Sequence, residues 1–282
     1  MPLAYIPSPS HVIWHVGPVP VRTQALFAVA GIILAIFVAD RRYRAAGGAG
    51  GVITDVAAWA IPAGLIPAAL GAFLVPLHGA GWQAVRSWDE ALGYPGAAAL
   101  GTLAAWIGSR RMRVRGKPFR FARIAGAVAP ALAFGHAVSE IGSWAAQQGY
   151  GQPSSLWWAV EISPARRLSG YENFATFQPL FMYGALWDVL TGFAVIYLSR
   201  RLALSGDRAF ALCAAAYGAG GFALFWLGIG HLPLVLGIRA GELGDAVVLV
   251  GAVIYLARTR RRRDEPFQKV QKSPLERDAP LM

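Results

Sequence analysis

Seven blocks of apolar residues, most near the length needed to cross a bilayer as a helix, constrain this chain more than any other feature. They cover about 21–39, 52–76, 95–109, 124–146, 178–198, 208–230 and 242–257. Hydrocarbon offers backbone amides no water, so only helices and closed barrels cross it. The blocks lack the alternation of barrel strands. An all-α fold follows: a polytopic membrane helix bundle of about seven transmembrane helices. Composition agrees, with 56% hydrophobic and 15% charged residues, where a soluble domain carries nearer a quarter charged. No long polar stretch divides the blocks, so residues 1–263 read as a single transmembrane domain. Residues 264–282, polar and containing Pro266 and Pro274, read as a disordered cytoplasmic tail.

Lys and Arg predict the orientation. The loops after the first, third and fifth blocks, with the tail, hold 21 of the 26 basic residues. The other five are Arg22, Arg86, Arg166, Arg167 and Arg239. Basic residues collect in cytoplasmic loops, which puts the N-terminus outside and the C-terminus in the cytoplasm. The first block lacks a short apolar core with a small-residue cleavage site, and Arg41, Arg42 and Arg44 follow it; it reads as a retained span. The clusters Arg110–Arg123 and Arg258–Arg263 face anionic headgroups on this reading, so the net charge of +11 does not call for nucleic acid. The single cysteine, Cys213, excludes an internal disulfide and a Cys-rich metal site, and its apolar setting predicts a buried spectator.

Ionisable groups inside spans are costly and are candidates for function. Asp55 opens the second span and reads equally as a boundary residue. His136 and Glu140 lie four apart on the fourth span, so their side chains share a face. A carboxylate there can orient the imidazole for acid–base work or simply satisfy it. Asp188 lies midway along the fifth span, and Glu242 and Asp245 open the seventh. No predicted span carries two histidines at ligand spacing on one helix, so no metal site is predicted. The outer loop, about 147–178, is rich in Trp, Tyr, Gly and Pro. Trp157, Trp158 and Tyr171 suit the headgroup zone, and Arg166 and Arg167 beside them either anchor there or meet a lipid phosphate.

Several stretches, in order from about residue 4 to 256, resemble one family, the bacterial prolipoprotein diacylglyceryl transferases. They are Ile6-Pro7-Ser8-Pro9-Ser10 with Gly17-Pro18-Val19-Pro20-Val21-Arg22, and Leu92-Gly93-Tyr94-Pro95-Gly96-Ala97 leading into Trp106-Ile107-Gly108. They continue with Gly142-Ser143-Trp144, Tyr150-Gly151-Gln152-Pro153, Trp158-Ala159-Val160-Glu161-Ile162, and Phe177-Gln178-Pro179 with Tyr183 and Leu186-Trp187. Arg208-Ala209-Phe210-Ala211-Leu212 and Ala216-Tyr217 complete the set. The resemblance implies a multi-pass protein of the bacterial cytoplasmic (plasma) membrane. It implies transfer of the diacylglyceryl group of phosphatidylglycerol to the lipobox cysteine thiol of secreted prolipoproteins, with glycerol phosphate leaving. No cofactor and no nucleic acid are implied. A cavity opening outward near residues 135–180 is implied too, with Arg22, Gly142, Tyr150, Gly151, Tyr183 and Tyr217 as the lipid-binding set. His136, Glu140 and Tyr217 are the candidates for catalysis.

The chain departs from the family where the chemistry should sit. The family run Gly-Arg-x-Gly-Asn-x-x-Asn-x-Glu-x-Tyr-Gly-Arg-Pro corresponds here to Ser139 through Pro153. Its first Arg is Glu140, its two Asn are Ser143 and Ala146, and its Glu is Gln148. A His-Pro pair is Gln178-Pro179, a Tyr is Gln24, and two further Arg positions are Gly221 and Ala69. Pro95 stands where many members carry histidine, although one branch also has proline. Cations that would hold a phosphate in a low-dielectric site are thereby lost, unless Arg86, Arg166, Arg167 or Arg239 takes their place. The lead reading is the transferase. The alternative is a catalytically silent paralogue that binds lipid or lipoprotein; a proton-coupled carrier using His136, Glu140 and Asp188 is a third, opposed by the lack of an inverted repeat.

Overall fold

The structure, a computed structural model, describes residues 5–7, 9, 13–17, 19–74, 100–108, 113–114, 117–118, 121–229, 234–235 and 238–259. Within these, helices stand at all seven apolar blocks. They are α1 (Thr23–Ala45), α2 (Val52–Leu74), α3 (100–108), α4 (Phe121–Ala145), α5 (Leu180–Arg201), α6 (Gly206–Phe225) and α7 (Ala240–Arg258). Three of them, α1, α4 and α5, are long and apolar enough to cross a membrane, with mean hydropathies of 2.0, 1.4 and 1.5. At 1.5 Å rise per residue, a helix of α1's 23 residues spans about 35 Å, more than the hydrocarbon core. The chain is a helical membrane protein. Arg86, Pro95 and the tail 264–282 lie outside the described residues.

The helices are arranged inside out relative to a soluble bundle. α4 is the central one: Ala127, Ala129, Pro130 and Ala131 are fully buried. The helices around it turn large apolar side chains outward, including Ile33 and Phe37 of α1, Leu186 and Phe193 of α5 and Val247 of α7. In water such surfaces would aggregate; lipid solvates them. Burial between helices relies on small residues. Gly31 of α1 and Gly135 of α4 meet so closely that a Cβ on either would fall 2.3 or 2.6 Å from the other's carbonyl oxygen.

The all-helical expectation needs one refinement, because four antiparallel ribbons occupy the helix ends. They are β1 (Ile13–Val16) with β2 (Val19–Arg22), β3 (Arg113–Val114) with β4 (Lys117–Pro118), β5 (Val160–Glu161) with β6 (Thr176–Phe177), and β7 (Leu234–Val235) with β8 (Ile238–Arg239). Pairing as ribbons lets these segments satisfy backbone groups outside the helices. The β5–β6 ribbon closes the base of the outer loop. There Tyr150, Val160, Ile162 and Phe177 form a separate core, with Ile6, Trp144 and Ile229 packed on it. The N-terminal segment joins it through Ile6, whose N–H donates to Ala159 O and whose carbonyl accepts from Glu161 N–H. Helix α6 stops at Phe225 because the chain turns back: Gln152 N–H donates to Leu227 O at 2.9 Å and Gly151 bridges to Gly228. The outer loop is thus a small folded cap over one end of the bundle.

Candidate active site

His136 and Glu140 lie one turn apart on α4 and face α5, where Asp188 sits only 4% exposed. Asp188 Oδ2 is 2.6 Å from His136 Nδ1. Glu140 Oε1, on the other side of the ring, is 3.7 Å from Nε2. A carboxylate only accepts hydrogen bonds, so the short contact assigns the proton to Nδ1 and leaves Nε2 as the open nitrogen of the neutral ring. Tyr217 of α6 stands edge-on to the imidazole, centroids 5.6 Å apart. The expected pairing of His136 with Glu140 is therefore present in loose form, while the tight partner is Asp188, 52 residues further along.

These groups line a cavity of about 350 Å³. Gln24 of α1, Ser143 of α4, Gln148 and Gly149 of the cap, Trp187 of α5, Gly220 and Gly221 of α6 and Asp245 of α7 complete much of its wall. Glycine makes the room. A Cβ at 221 would fall 2.2 Å from Asp245 Oδ2, and one at 220 would fall 2.2 Å from Trp187 Nε1, whose N–H donates to Ala216 O. The described wall carries three acids, Glu140, Asp188 and Asp245, and no Lys or Arg. A carboxylate-held imidazole in such a site can accept a proton from a group entering the cavity.

The departures noted in the sequence converge here. Gln24, Glu140, Ser143, Gln148 and Gly221 all line the cavity. Gln178 does not; its backbone pairs with Gly151 and Gln152. Of the six residues of the expected lipid-binding set, Tyr217 lines the cavity and the other five do not. Gly142 is at the α1–α4 contact, where a Cβ would meet Phe27 Cβ at 3.0 Å. Gly151 packs under Leu227 O at 2.3 Å from an added Cβ. Tyr150 is buried in the cap core and donates to Arg166 O at 2.7 Å; burial raises its hydroxyl above the ordinary tyrosine range. Tyr183 accepts from Trp158 Nε1 at 2.7 Å. Arg22 is exposed at the β2–α1 junction.

Among the other candidates, Arg167 is committed to the cap: Nε donates to Ile162 O at 3.0 Å and a terminal nitrogen to Glu172 O at 2.8 Å. Arg166 is exposed beside it. The side chains of Arg239 and Glu242 lie outside the described residues. Asp55 is exposed in the first turn of α2, away from the cavity. Trp157 is 75% exposed and stacks edge-on against Trp158. Cys213 is buried, its thiol donating to Ala129 O. Five cavity residues escaped the reading as site members: Gly149, Gly184, Trp187, Gly220 and Leu224. Gly184 lies one turn before Asp188, and Gly220 and Leu224 lie one and two turns after Tyr217, so for these three helical spacing was the signal.

The fold and cavity define a helical membrane protein with a polar pocket held between its helices. Residues 11–258 match the model of the family described as prolipoprotein diacylglyceryl transferase, and the chain belongs to that family. It is 38% identical to a phosphatidylglycerol--prolipoprotein diacylglyceryl transferase of Mycolicibacterium paratuberculosis, over 97% of this chain and 69% of the relative. It is equally 38% identical to a second such protein of Streptomyces coelicolor, over 93% of this chain and 83% of the relative. One from Rhodococcus jostii is 36% identical over 94% of this chain and 78% of the relative.

Proposed function

We propose that this protein transfers the diacylglyceryl group of phosphatidylglycerol to the lipobox cysteine thiol of secreted prolipoproteins. It works in the bacterial plasma membrane, crossing it seven times with the N-terminus outside. The observation that carries this reading is the family match across residues 11–258, supported by relatives at 38% identity that bear that activity in their names. The cap and the N-terminal segment pack at one end of the bundle. The end holding Arg42, Arg123 and Arg200 is the other, which is the asymmetry a cytoplasmic basic face requires. The described cavity wall is acidic, so the lipid phosphate takes its cations from the outer rim, where Arg22 and Arg166 are exposed and Arg86 and Arg239 are further candidates. The lipid-binding set of Arg22, Gly142, Tyr150, Gly151, Tyr183 and Tyr217 then divides in two: Arg22 and Tyr217 meet the lipid, and the other four hold the surface that shapes its entrance.

Complementation tests the reading. A strain depleted of its own transferase and expressing this chain regains lipidated lipoproteins and growth. Membrane-inserted protein that lipidates no lipobox substrate contradicts the enzymatic reading and favours a silent lipid- or lipoprotein-binding paralogue.

A further inference from the structure

We infer that His136 is the catalytic base that takes the proton of the incoming cysteine thiol, and that Asp188 is the residue that positions it. The inference rests on the transferase reading above and assigns the proton transfer within it. Three observations, one each on α4, α5 and α6, meet at this point. Asp188 of α5 is buried and holds Nδ1 at 2.6 Å. His136 of α4 lines a cavity of about 350 Å³. Tyr217 of α6 braces the ring edge-on at 5.6 Å.

The electrostatics of the wall make a base necessary. A free cysteine thiol has a pKa near 8.5, so only a few per cent is thiolate at neutral pH. Cations normally raise that fraction. Among the described residues, the titratable groups facing His136 and the cavity are Glu140 on its own helix, Asp188 on α5, Tyr217 on α6 and Asp245 on α7; Gln24 of α1 is neutral. Acids repel a preformed thiolate. The proton must therefore leave as the new bond forms, and Nε2 is the nitrogen placed to receive it. In that step the S–H proton passes to Nε2, and the sulfur electron pair forms a bond to the glycerol carbon bearing the phosphate. The C–O bond to phosphate breaks with its electron pair on the phosphate oxygen. The proton on Nε2 then passes to the departing glycerol phosphate or to water, and the ring returns to its starting tautomer. Asp188 keeps its hydrogen bond to Nδ1 and so fixes which nitrogen is open.

The test uses full-length protein in phosphatidylglycerol vesicles with a synthetic lipobox peptide carrying one cysteine, comparing wild type, His136→Asn and Asp188→Asn. The expected result is a fall in kcat of about 100-fold or more for both variants, with KM for the lipid within about threefold. The His136→Asn rate should also climb close to tenfold per pH unit from about pH 7 to 8.5, following the free thiolate, while the wild-type profile is flatter. A purely structural role would give losses that high pH does not restore, and that outcome overturns the inference. So does full activity in His136→Asn. Where an Asn variant fails to insert, His136→Gln and Asp188→Glu carry the same comparison, the latter keeping a carboxylate and recovering part of kcat. An inactive wild type overturns the transferase reading and this inference together; an active wild type with insensitive variants overturns the inference alone.

Discussion

Gly135→Ala should loosen the whole bundle and disturb the site through one methyl group. The added Cβ would fall 2.6 Å from Gly31 O and 3.0 Å from Ala35 Cβ, both on α1. Backbone carbonyls cannot rotate away as a flexible side chain can. Relief to an ordinary contact of about 3.4 Å parts α1 and α4 by about 0.8 Å. Overpacking of this kind costs about 1–3 kcal/mol, and the interface loses dispersion contacts along its length. His136 is the next residue, so any share of the shift taken by α4 lengthens its 2.6 Å contact to Asp188 and lowers turnover as well. The assay is thermal unfolding in a fixed detergent, with Gly251→Ala as the matched control. Gly251 is an exposed helical glycine with nothing within 4 Å of an added Cβ. Its replacement should be neutral or stabilise by up to about 1 kcal/mol. Gly31→Ala, whose Cβ would lie 2.3 Å from Gly135 O, should cost at least as much as Gly135→Ala. If Gly135→Ala melts with Gly251→Ala, the close α1–α4 crossing is wrong.

Three further outcomes are expected. Glu140→Gln leaves the Asp188–His136 bond intact and removes only a contact of 3.7 Å, so its kcat should fall less than about tenfold, far less than for Asp188→Asn. Arg167→Met removes two charge-assisted bonds, to Ile162 O and Glu172 O, and should destabilise the cap by about 1.5 kcal/mol or more, read as faster proteolysis between residues 162 and 172 with helix content unchanged. Glu172, fully exposed, is held below the usual carboxylate range by backbone N–H groups, its own and that of Gly170. A depressed carboxylate stabilises the turn above its unfolded pKa and loses that contribution as pH falls through the folded value. Hydrogen exchange at Gly170, corrected for intrinsic rates, should show protection at pH 6 that is lost only as pH falls below the usual carboxylate range, and pH-independent protection would contradict the assignment.

The bundle was legible because hydrophobic blocks of span length admit few other readings. All seven blocks coincide with helices, though with shifted ends. Helix α1 runs on through Arg41–Arg44 to Ala45, because basic residues favour a helix C-terminus and lie beyond the apolar stretch that marked the block. Helix α6 ends at Phe225, short of the apolar limit near 230, because Leu227 and Gly228 pair with the cap, a long-range preference that hydropathy does not carry. The ribbons were missed for the same reason: segments of two to four residues hold no period to read.

At the site, the residue types were legible and their partners were not. His136 and Glu140 share a helix face, so spacing related them. Asp188 stood out as a buried acid on another helix, and nothing local ties it to His136. Comparison with the family pattern marked Gln24, Glu140, Ser143, Gln148 and Gly221 as replaced, but only the fold shows them around one cavity. The reverse holds for Gly142 and Gly151. Their identity reads as a site signature, and their surroundings read as close packing, with backbone or side-chain atoms where a Cβ would go.

One measurement bears on the central claim most directly. The purified chain is incubated in phosphatidylglycerol vesicles with a lipobox peptide, and the peptide's mass and released glycerol phosphate are followed together. The account predicts a peptide heavier by one diacylglyceryl group on its cysteine and an equal amount of glycerol phosphate, neither forming when serine replaces that cysteine. An unmodified peptide, with lipid and folded protein present, would contradict it.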